Sequence, residues 1–117
     1  MPYVDGYVLA VPKSFLEQYK EIARRAGEAW MAYGALAYKE AVADDVPYGE
    51  LTSFPRAVMA TEDEVVIFSW VLYQSREQRD AVNAKVMNDP ELTGLMENAP
   101  IDMKRMIFGG FTTFVDL

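Results

Sequence analysis

The side chains of this sequence that could do chemistry are carboxylates, tyrosines, tryptophans and a few cations, because the chain has no cysteine and no histidine. Thiol nucleophiles, disulfides and sulfur-ligated metals are therefore excluded, as are the usual general base and the commonest transition-metal ligand. Asp44 and Asp45 lack the rest of a calcium loop, and no glycine-rich phosphate loop opens a helix. We expect neither a metal nor a cofactor.

One carboxylate stands out because it lies between two tyrosines in an alternating segment: Asp5, with Tyr3 and Tyr7 on either side. If this face of the strand is enclosed, desolvation raises the carboxyl pKa, and Asp5 becomes a candidate catalytic base near neutral pH. The alternative is an ion pair with Lys104 or Arg105, since buried charges are usually paired.

A cluster of polar side chains recurs at three- and four-residue spacing in the second half of the chain. Arg79 and Asn83 share one face of a predicted helix and could grip a carboxylate or carbonyl group of a ligand. Arg76 and Asp80 lie beside them and are expected to form an ordinary helix ion pair.

The two tryptophans, Trp30 and Trp70, could form the floor of an aromatic pocket, although tryptophan on an apolar face is more often plain core. Together with the residues above they complete a set of candidate ligand-binding positions. These are Tyr7, Trp30, Ser69, Trp70, Arg79, Asn83 and Arg105.

The elements that must position these side chains follow from the spacing of apolar residues. Alternation predicts a strand over Tyr3–Val11. A capping box of Ser14 and Glu17 predicts the start of a helix that ends at Gly34. Leu36–Val42 carries charges in its middle and is predicted to be an edge strand.

The second half of the chain repeats this strand and helix pattern. Val65–Tyr73 is apolar on both faces, which is typical of the centre of a sheet. Ser75 caps a predicted helix over Arg76–Met87, and Asp89 with Pro90 starts a shorter helix. Gly109 and Gly110 interrupt the last predicted strand, Met106–Val115, and indicate a bulge or a close backbone approach.

The long connection Ala43–Glu64 could be a lid, a dimer arm or an extended hairpin that only enlarges an interface. A short strand over Phe54–Met59 is possible within it. Long connections can serve either purpose, and we favour the extended hairpin that enlarges an interface over the lid.

The order strand, helix, strand, strand, helix, strand predicts one domain over residues 1–117, of the α+β class. We expect a ferredoxin-like four-stranded antiparallel sheet with its first and third strands in the middle and both main helices on one face. The other face is expected to expose Tyr7 and Leu9 with either the Phe68 and Trp70 row or the Ile67 and Val71 row.

So large an apolar face predicts a homodimer, since pairing two copies would bury on the order of 800 Å² per partner, the size of a standard stable interface. The net charge of −7 disfavours nucleic acid and anionic membranes as partners. No apolar stretch is long enough to span a bilayer and the first residues do not resemble an export signal, so a cytoplasmic location is expected.

The sequence resembles the YbaA-like family of bacterial proteins, domain-of-unknown-function family 1428, almost from end to end. The segments that carry the resemblance are Tyr3–Gly6, Gly34–Leu36, Phe68–Trp70, Arg79–Asp80 with Asn83, Asp89–Pro90 and Lys104–Phe111. The resemblance implies the dimeric α+β barrel superfamily, and it implies no established function.

Two classes of function are therefore open. The first is a small-molecule binder or cofactor-free enzyme that uses a cavity between helices and sheet, by analogy with the superfamily. The second is a non-catalytic dimer that acts through protein contacts. A roomy cavity with polar groups would favour the first class, and a filled core would favour the second.

Overall fold

Four strands and two long helices make up the fold in the computed structural model, which describes all 117 residues. Two short helices and two single-turn 3₁₀ segments, Lys13–Phe15 and Met103–Arg105, complete it. No helix combines the length and the apolar character that crossing a bilayer would require. In chain order the elements are β1 (Tyr3–Pro12), α1 (Leu16–Ala32), β2 (Ala37–Val42), α2 (Phe54–Ala57), β3 (Glu64–Tyr73), α3 (Arg76–Met87), α4 (Pro90–Gly94) and β4 (Ile107–Thr112).

The strands form one antiparallel sheet in the order β2-β3-β1-β4. This confirms the predicted α+β class and the ferredoxin-like topology, with the first and third strands in the middle. It also confirms β2 as an edge strand. Its exposed Lys39 lies opposite Trp70 and discourages further strand pairing at that edge.

The register between β1 and β3 determines which side chains share a face. Val8 lies opposite Phe68 on one face, and Tyr7 lies opposite Ser69 on the other. Both main helices cover the Tyr7 side, which we call the helix face, and the Val8 side is the open face. Leu9 is buried on the helix face against α1, at 4% exposure.

The prediction that Tyr7 and Leu9 lie on the uncovered face was therefore wrong, whereas the Phe68 and Trp70 row does lie there. The reason is packing complementarity. α1 presents small residues such as Ala23 and Gly27 to the sheet, so the strand face that meets it can carry the larger side chains.

The ends of the helices agree with the sequence in three cases of four. The Ser75 hydroxyl accepts the amide hydrogen of Gln78 at 3.1 Å, and the Asp89 carboxylate caps α4. Gly34 ends α1 with φ of 122°, a conformation that a side chain would penalise. The predicted capping box at Ser14 does not form, because that residue lies within a 3₁₀ turn that precedes α1.

The connection between β2 and β3 contains a short helix, α2, and not the short strand that was considered possible. The Ser53 hydroxyl accepts the Arg56 amide hydrogen at 3.1 Å, and Pro55 fits the first turn, so local capping favours the helix. Val58, just after α2, is fully buried against Val8 and its neighbours on the open face. This connection therefore covers one end of the open face and lies away from α1.

The glycine pair in β4 forms no bulge, and one of its members, Gly110, allows a close approach. Pairing between β1 and β4 is continuous from Tyr3 opposite Thr112 to Val8 opposite Ile107. A Cβ atom on Gly110 would lie 2.7 Å from Cε2 of Tyr3. Only glycine leaves room for that ring.

A half-buried ion pair joins the start of β3 to the turn before β4. Arg105 donates to both carboxylate oxygens of Glu64, at 2.8 and 2.6 Å, and to the carbonyl oxygen of Met59 at 2.8 Å. Its Nε also donates to Asp102 at 3.2 Å. The hydrogen bonds from Arg105 lower the pKa of Glu64 from 4.5 to about 2.

This shift predicts a specific acid sensitivity. Because the folded-state pKa of Glu64 is depressed, its contribution to stability is present above about pH 4.5 and is lost as the pH falls towards 2. Urea unfolding at a series of pH values should show a shallower decline over this window for Glu64→Gln than for the wild type. The control is Glu62→Gln, an exposed residue without an ion pair, which should follow the wild-type profile. Identical slopes for Glu64→Gln and wild type would contradict the assignment.

Candidate functional site

A cavity of about 210 Å³ lies between α1 and the helix face of the sheet. Twelve of the fourteen residues that line it are hydrophobic, and the two exceptions are Glu40 and Ser69. The cavity is therefore an apolar space with one carboxylate in its wall. Its lining comes from α1, from the first three strands and from three methionines between α4 and β4, Met96, Met103 and Met106.

The carboxylate of Glu40 is held by two phenols. Tyr19 on α1 donates to Oε1, and Tyr38 on β2 donates to Oε2, each at 2.5 Å. Burial, and then the neighbouring Glu40 charge, raises the pKa of Tyr19 and of Tyr38 far above the ordinary value of 10. Both phenols therefore stay protonated and remain hydrogen-bond donors to Glu40.

The local geometry that builds this cluster is simple. Tyr38 and Glu40 are two residues apart on β2, so both side chains point to the helix face. The Tyr38 ring lies directly against α1 at Gly27, where a Cβ atom would be 2.7 Å from Cδ1 of the ring. Gly27 is thus the position on α1 that allows Tyr38 to reach Glu40.

An outer groove of about 710 Å³ between α1 and β2 adjoins the cavity. Tyr19, Ala23, Tyr38 and Glu40 line both spaces. The Glu40 cluster therefore lies at the boundary between the solvent-facing groove and the cavity, where it can contact a molecule that enters from outside.

Asp5 is buried on the same face, at 3% exposure, but is not part of the cavity lining. Its Oδ1 accepts from Nη1 of Arg79 at 2.7 Å, and Nε of Arg79 donates to Asp80 at 2.8 Å. Burial raises the pKa of Asp5 while the Arg79 charge opposes that rise. The carboxylate thus has the raised pKa expected of an enclosed group and the ion pair expected of a buried charge.

The partners in this pairing differ from the predicted ones. Asp5 pairs with Arg79 and not with Lys104 or Arg105. The expected helix pair of Arg76 with Asp80 is also absent, because Arg79 reaches Asp80 from the adjacent position. The fold brings α3 over this end of β1, which no local spacing could show.

The candidate ligand-binding residues divide into three groups. Tyr7, Trp30 and Ser69 line the cavity. Two others lie in the layer behind it. Asn83 Oδ1 is 3.5 Å from the Tyr73 hydroxyl, which in turn accepts from Nε1 of Trp30 at 3.1 Å, and Arg79 is held by Asp5.

The remaining two candidates lie elsewhere. Trp70 points to the open face, where it lines a groove with Phe68 and Leu72. Arg105 is engaged with Glu64 at the far end of the sheet. The structure does not bring either residue to the cavity under α1, since strand alternation sends Trp70 to the opposite side from Ser69 and Arg105 already binds a carboxylate. A ligand-binding role for these two residues stays a prediction.

The sequence prediction missed Tyr19, Tyr38 and Glu40, which form the polar end of the cavity. One signal was present, because Tyr38 and Glu40 are two apart on a predicted strand and must share a face. The charge of Glu40 indicated only an exposed edge. The third member, Tyr19, is 21 residues away on α1 and has no local signature.

Comparison with known proteins shows the family. Residues 2–103 match the model for a protein family of unknown function, DUF1428, and the chain belongs to that family. It is 47% identical over 116 residues to the uncharacterised protein YbaA of Escherichia coli strain K12, covering 99% of both chains. The YbaA protein of Shigella flexneri matches to the same extent.

Solved structures show the same fold at low sequence identity. Rv0793 of Mycobacterium tuberculosis superposes with a TM-score of 0.62 at 11% identity, covering 99% of this chain and 98% of that one. A dimeric ferredoxin-like protein from an uncultured marine organism gives a TM-score of 0.62 at 9% identity, with all of both chains covered.

The Asp5 ion pair predicts a large loss of stability when its cation is removed. Arg79→Met leaves a buried carboxylate unpaired, and the free energy of unfolding in urea at pH 7 should fall by about 3 kcal/mol. Adding Asp5→Asn to that variant should restore most of the loss, because no buried charge remains. Arg76→Met, an exposed position on the same helix without an ion pair, is the control. An equal effect of the two methionine variants would contradict this role for Arg79.

Proposed function

We propose that this member of the DUF1428 family is a homodimer in which each subunit binds a small, mainly apolar molecule in the cavity under α1. The observation that supports binding is the cavity itself, whose volume of about 210 Å³ is far above the roughly 15 Å³ needed for one water molecule. A filled core would instead have favoured a protein that acts only through protein contacts.

The lining indicates the general character of the ligand. An apolar wall with a few convergent polar groups is typical of small-molecule sites, in which apolar contacts supply affinity and polar groups fix orientation. Here the orienting groups are Glu40 with its two tyrosines and Ser69. The methionine side chains at one end can adjust to the shape of a ligand, because methionine is unbranched and flexible.

The ligand that binds here is expected to raise the melting temperature, since selective binding to the native state stabilises it. A metabolite library screened by thermal shift should therefore give hits on the wild type. Ala26→Leu places extra volume in the cavity and should remove those shifts. Ala32→Leu makes the same change at an exposed position of α1 and should retain them.

Two outcomes of that screen would contradict the proposal. One is a screen without any hit. The other is a set of hits that Ala26→Leu retains, because those compounds would bind elsewhere. Mass spectrometry of the native protein purified from cells offers an independent check, since a retained small molecule should be present in the wild type and absent from Ala26→Leu.

The homodimer is supported by the open face. It presents large apolar side chains to solvent, among them Phe68 at 44% exposure, Ile107 at 45% and Phe111 at 63%. Soluble monomers rarely expose a contiguous apolar patch of more than a few hundred Å². A second copy that packs on this face covers it by two-fold symmetry, and the dimeric structural neighbour has the same fold.

The connection that contains α2 fits this assembly as a dimer arm. It packs on the open face through Val58, and its Phe54 ring meets Phe68 edge-on at a centroid distance of 5.9 Å. Because it lies on the side of the sheet away from α1, it does not close the cavity. We therefore assign it to the interface between subunits.

The dimer is tested with a substitution on the open face and a matched control on the helix side of the sheet. Phe68→Glu introduces a charge into the proposed interface and should shift the protein from dimer to monomer in sedimentation or light scattering at micromolar concentration. Met87→Glu introduces the same charge at an exposed apolar residue of α3, on the helix side of the sheet, and should leave the dimer intact. A monomeric wild type, or a dimer that tolerates Phe68→Glu, would contradict this interface.

The expectations about location and nucleic acid stay predictions. Cytoplasmic location rests on sequence alone, and the exclusion of nucleic acid rests on the net charge of −7.

A further inference from the structure

We infer that the ligand of the cavity carries a positively charged amine or ammonium group, because the cavity wall combines aromatic rings with a Glu40 carboxylate that no cation of the protein neutralises. This inference rests on the proposed function and names the chemical class that the same site selects.

The first step is the charge balance of Glu40. Neither lysine nor arginine forms an ion pair with it, and none of the residues that line the cavity is a lysine or an arginine. Its two partners, Tyr19 and Tyr38, are neutral hydrogen-bond donors. A carboxylate can accept about four hydrogen bonds, so capacity for a further donor remains.

The cations on the outer groove do not supply the missing charge. Arg24 is bound to Glu21 and Glu28 along α1, at 2.7 and 3.0 Å, and Lys20 is paired with Glu17 at 3.0 Å. These are local pairs on the solvent-facing side of the helix. Glu40 therefore remains without a cation partner from either the cavity or the groove.

The contrast with the other half-buried and buried carboxylates of this sheet strengthens the argument. Asp5 and Glu64 each bind an arginine of the protein, at 2.7 and 2.6 Å. Buried carboxylates are normally paired in this way, because an uncompensated charge in a poorly solvated place is costly. Glu40 alone has only phenols as partners, although it adjoins an apolar cavity.

The aromatic rings of the cavity wall are the second feature that favours a cation. Tyr7, Tyr19, Trp30 and Tyr38 all line the cavity, and the rings of Trp30 and Tyr38 meet at 49° with centroids 6.0 Å apart. The face of an aromatic ring attracts a cation, and rings that surround an ammonium group are a common mode of its recognition. An anionic ligand would instead be repelled by the Glu40 carboxylate. The net charge of −7 further favours the approach of cations.

The test uses three probes with the same aromatic body and different head groups: benzylammonium, benzyl alcohol and benzoate. Isothermal titration of the wild-type protein at pH 7 should give the tightest binding for benzylammonium, about tenfold weaker binding for benzyl alcohol, and none for benzoate. Glu40→Gln keeps a side chain of the same shape that still accepts a hydrogen bond, but it removes the charge. This substitution should weaken the binding of benzylammonium until its affinity equals that of benzyl alcohol.

The matched control is Glu28→Gln, which removes one negative charge from the outer groove and should leave the ranking of the probes unchanged. The ranking on the wild type needs no variant, so it decides the question even if Glu40→Gln does not fold. Benzyl alcohol or benzoate binding as tightly as benzylammonium would overturn the inference and leave the cavity as a binding site. Binding of none of the three probes would overturn the proposed function as well.

Discussion

The register between β1 and β3 is the constraint on which the rest of this structure depends. Residues that pair directly share a face of the sheet. Pairing Tyr7 with Ser69 and Val8 with Phe68 therefore determines which side chains lie on each face. A shift by one residue would exchange them, with cavity residues sent to the open face and apolar interface residues placed under α1. The proposed ligand site and the proposed dimer interface are therefore two results of one pairing.

The cavity exists because α1 packs closely on the sheet at one place and less closely at another. At Gly27 the helix admits the ring of Tyr38, and around Ala23 and Ala26 its side chains are too small to fill the space above Leu9. A larger residue at these positions would give a conventional packed core. Empty apolar volume lowers stability, since the atoms around it lose contacts. The presence of this empty volume next to the Glu40 carboxylate favours a binding function.

The partly and fully buried carboxylates of the sheet are stabilised in two different ways. Asp5 and Glu64 each hold an arginine from a distant part of the chain, and these pairs fix α3 and the turn before β4 on the sheet. Glu40 uses two protonated phenols, which orient its oxygens but leave its charge in place. The arginine pairs stabilise the fold, whereas the tyrosine cluster leaves the Glu40 carboxylate able to interact with a ligand.

The sequence by itself determined the number, order and type of the main elements. The unbroken apolar run of β3, the charged middle of β2 and the caps at Ser75 and Asp89 are local signals, and each of them was confirmed. Only the tertiary structure decided which face α1 covers, that Asp5 meets Arg79, 74 residues away, and that Tyr19 reaches Glu40. The physical reason is that alternation shows which residues share a face, whereas the element that packs there depends on volumes and charges from distant segments.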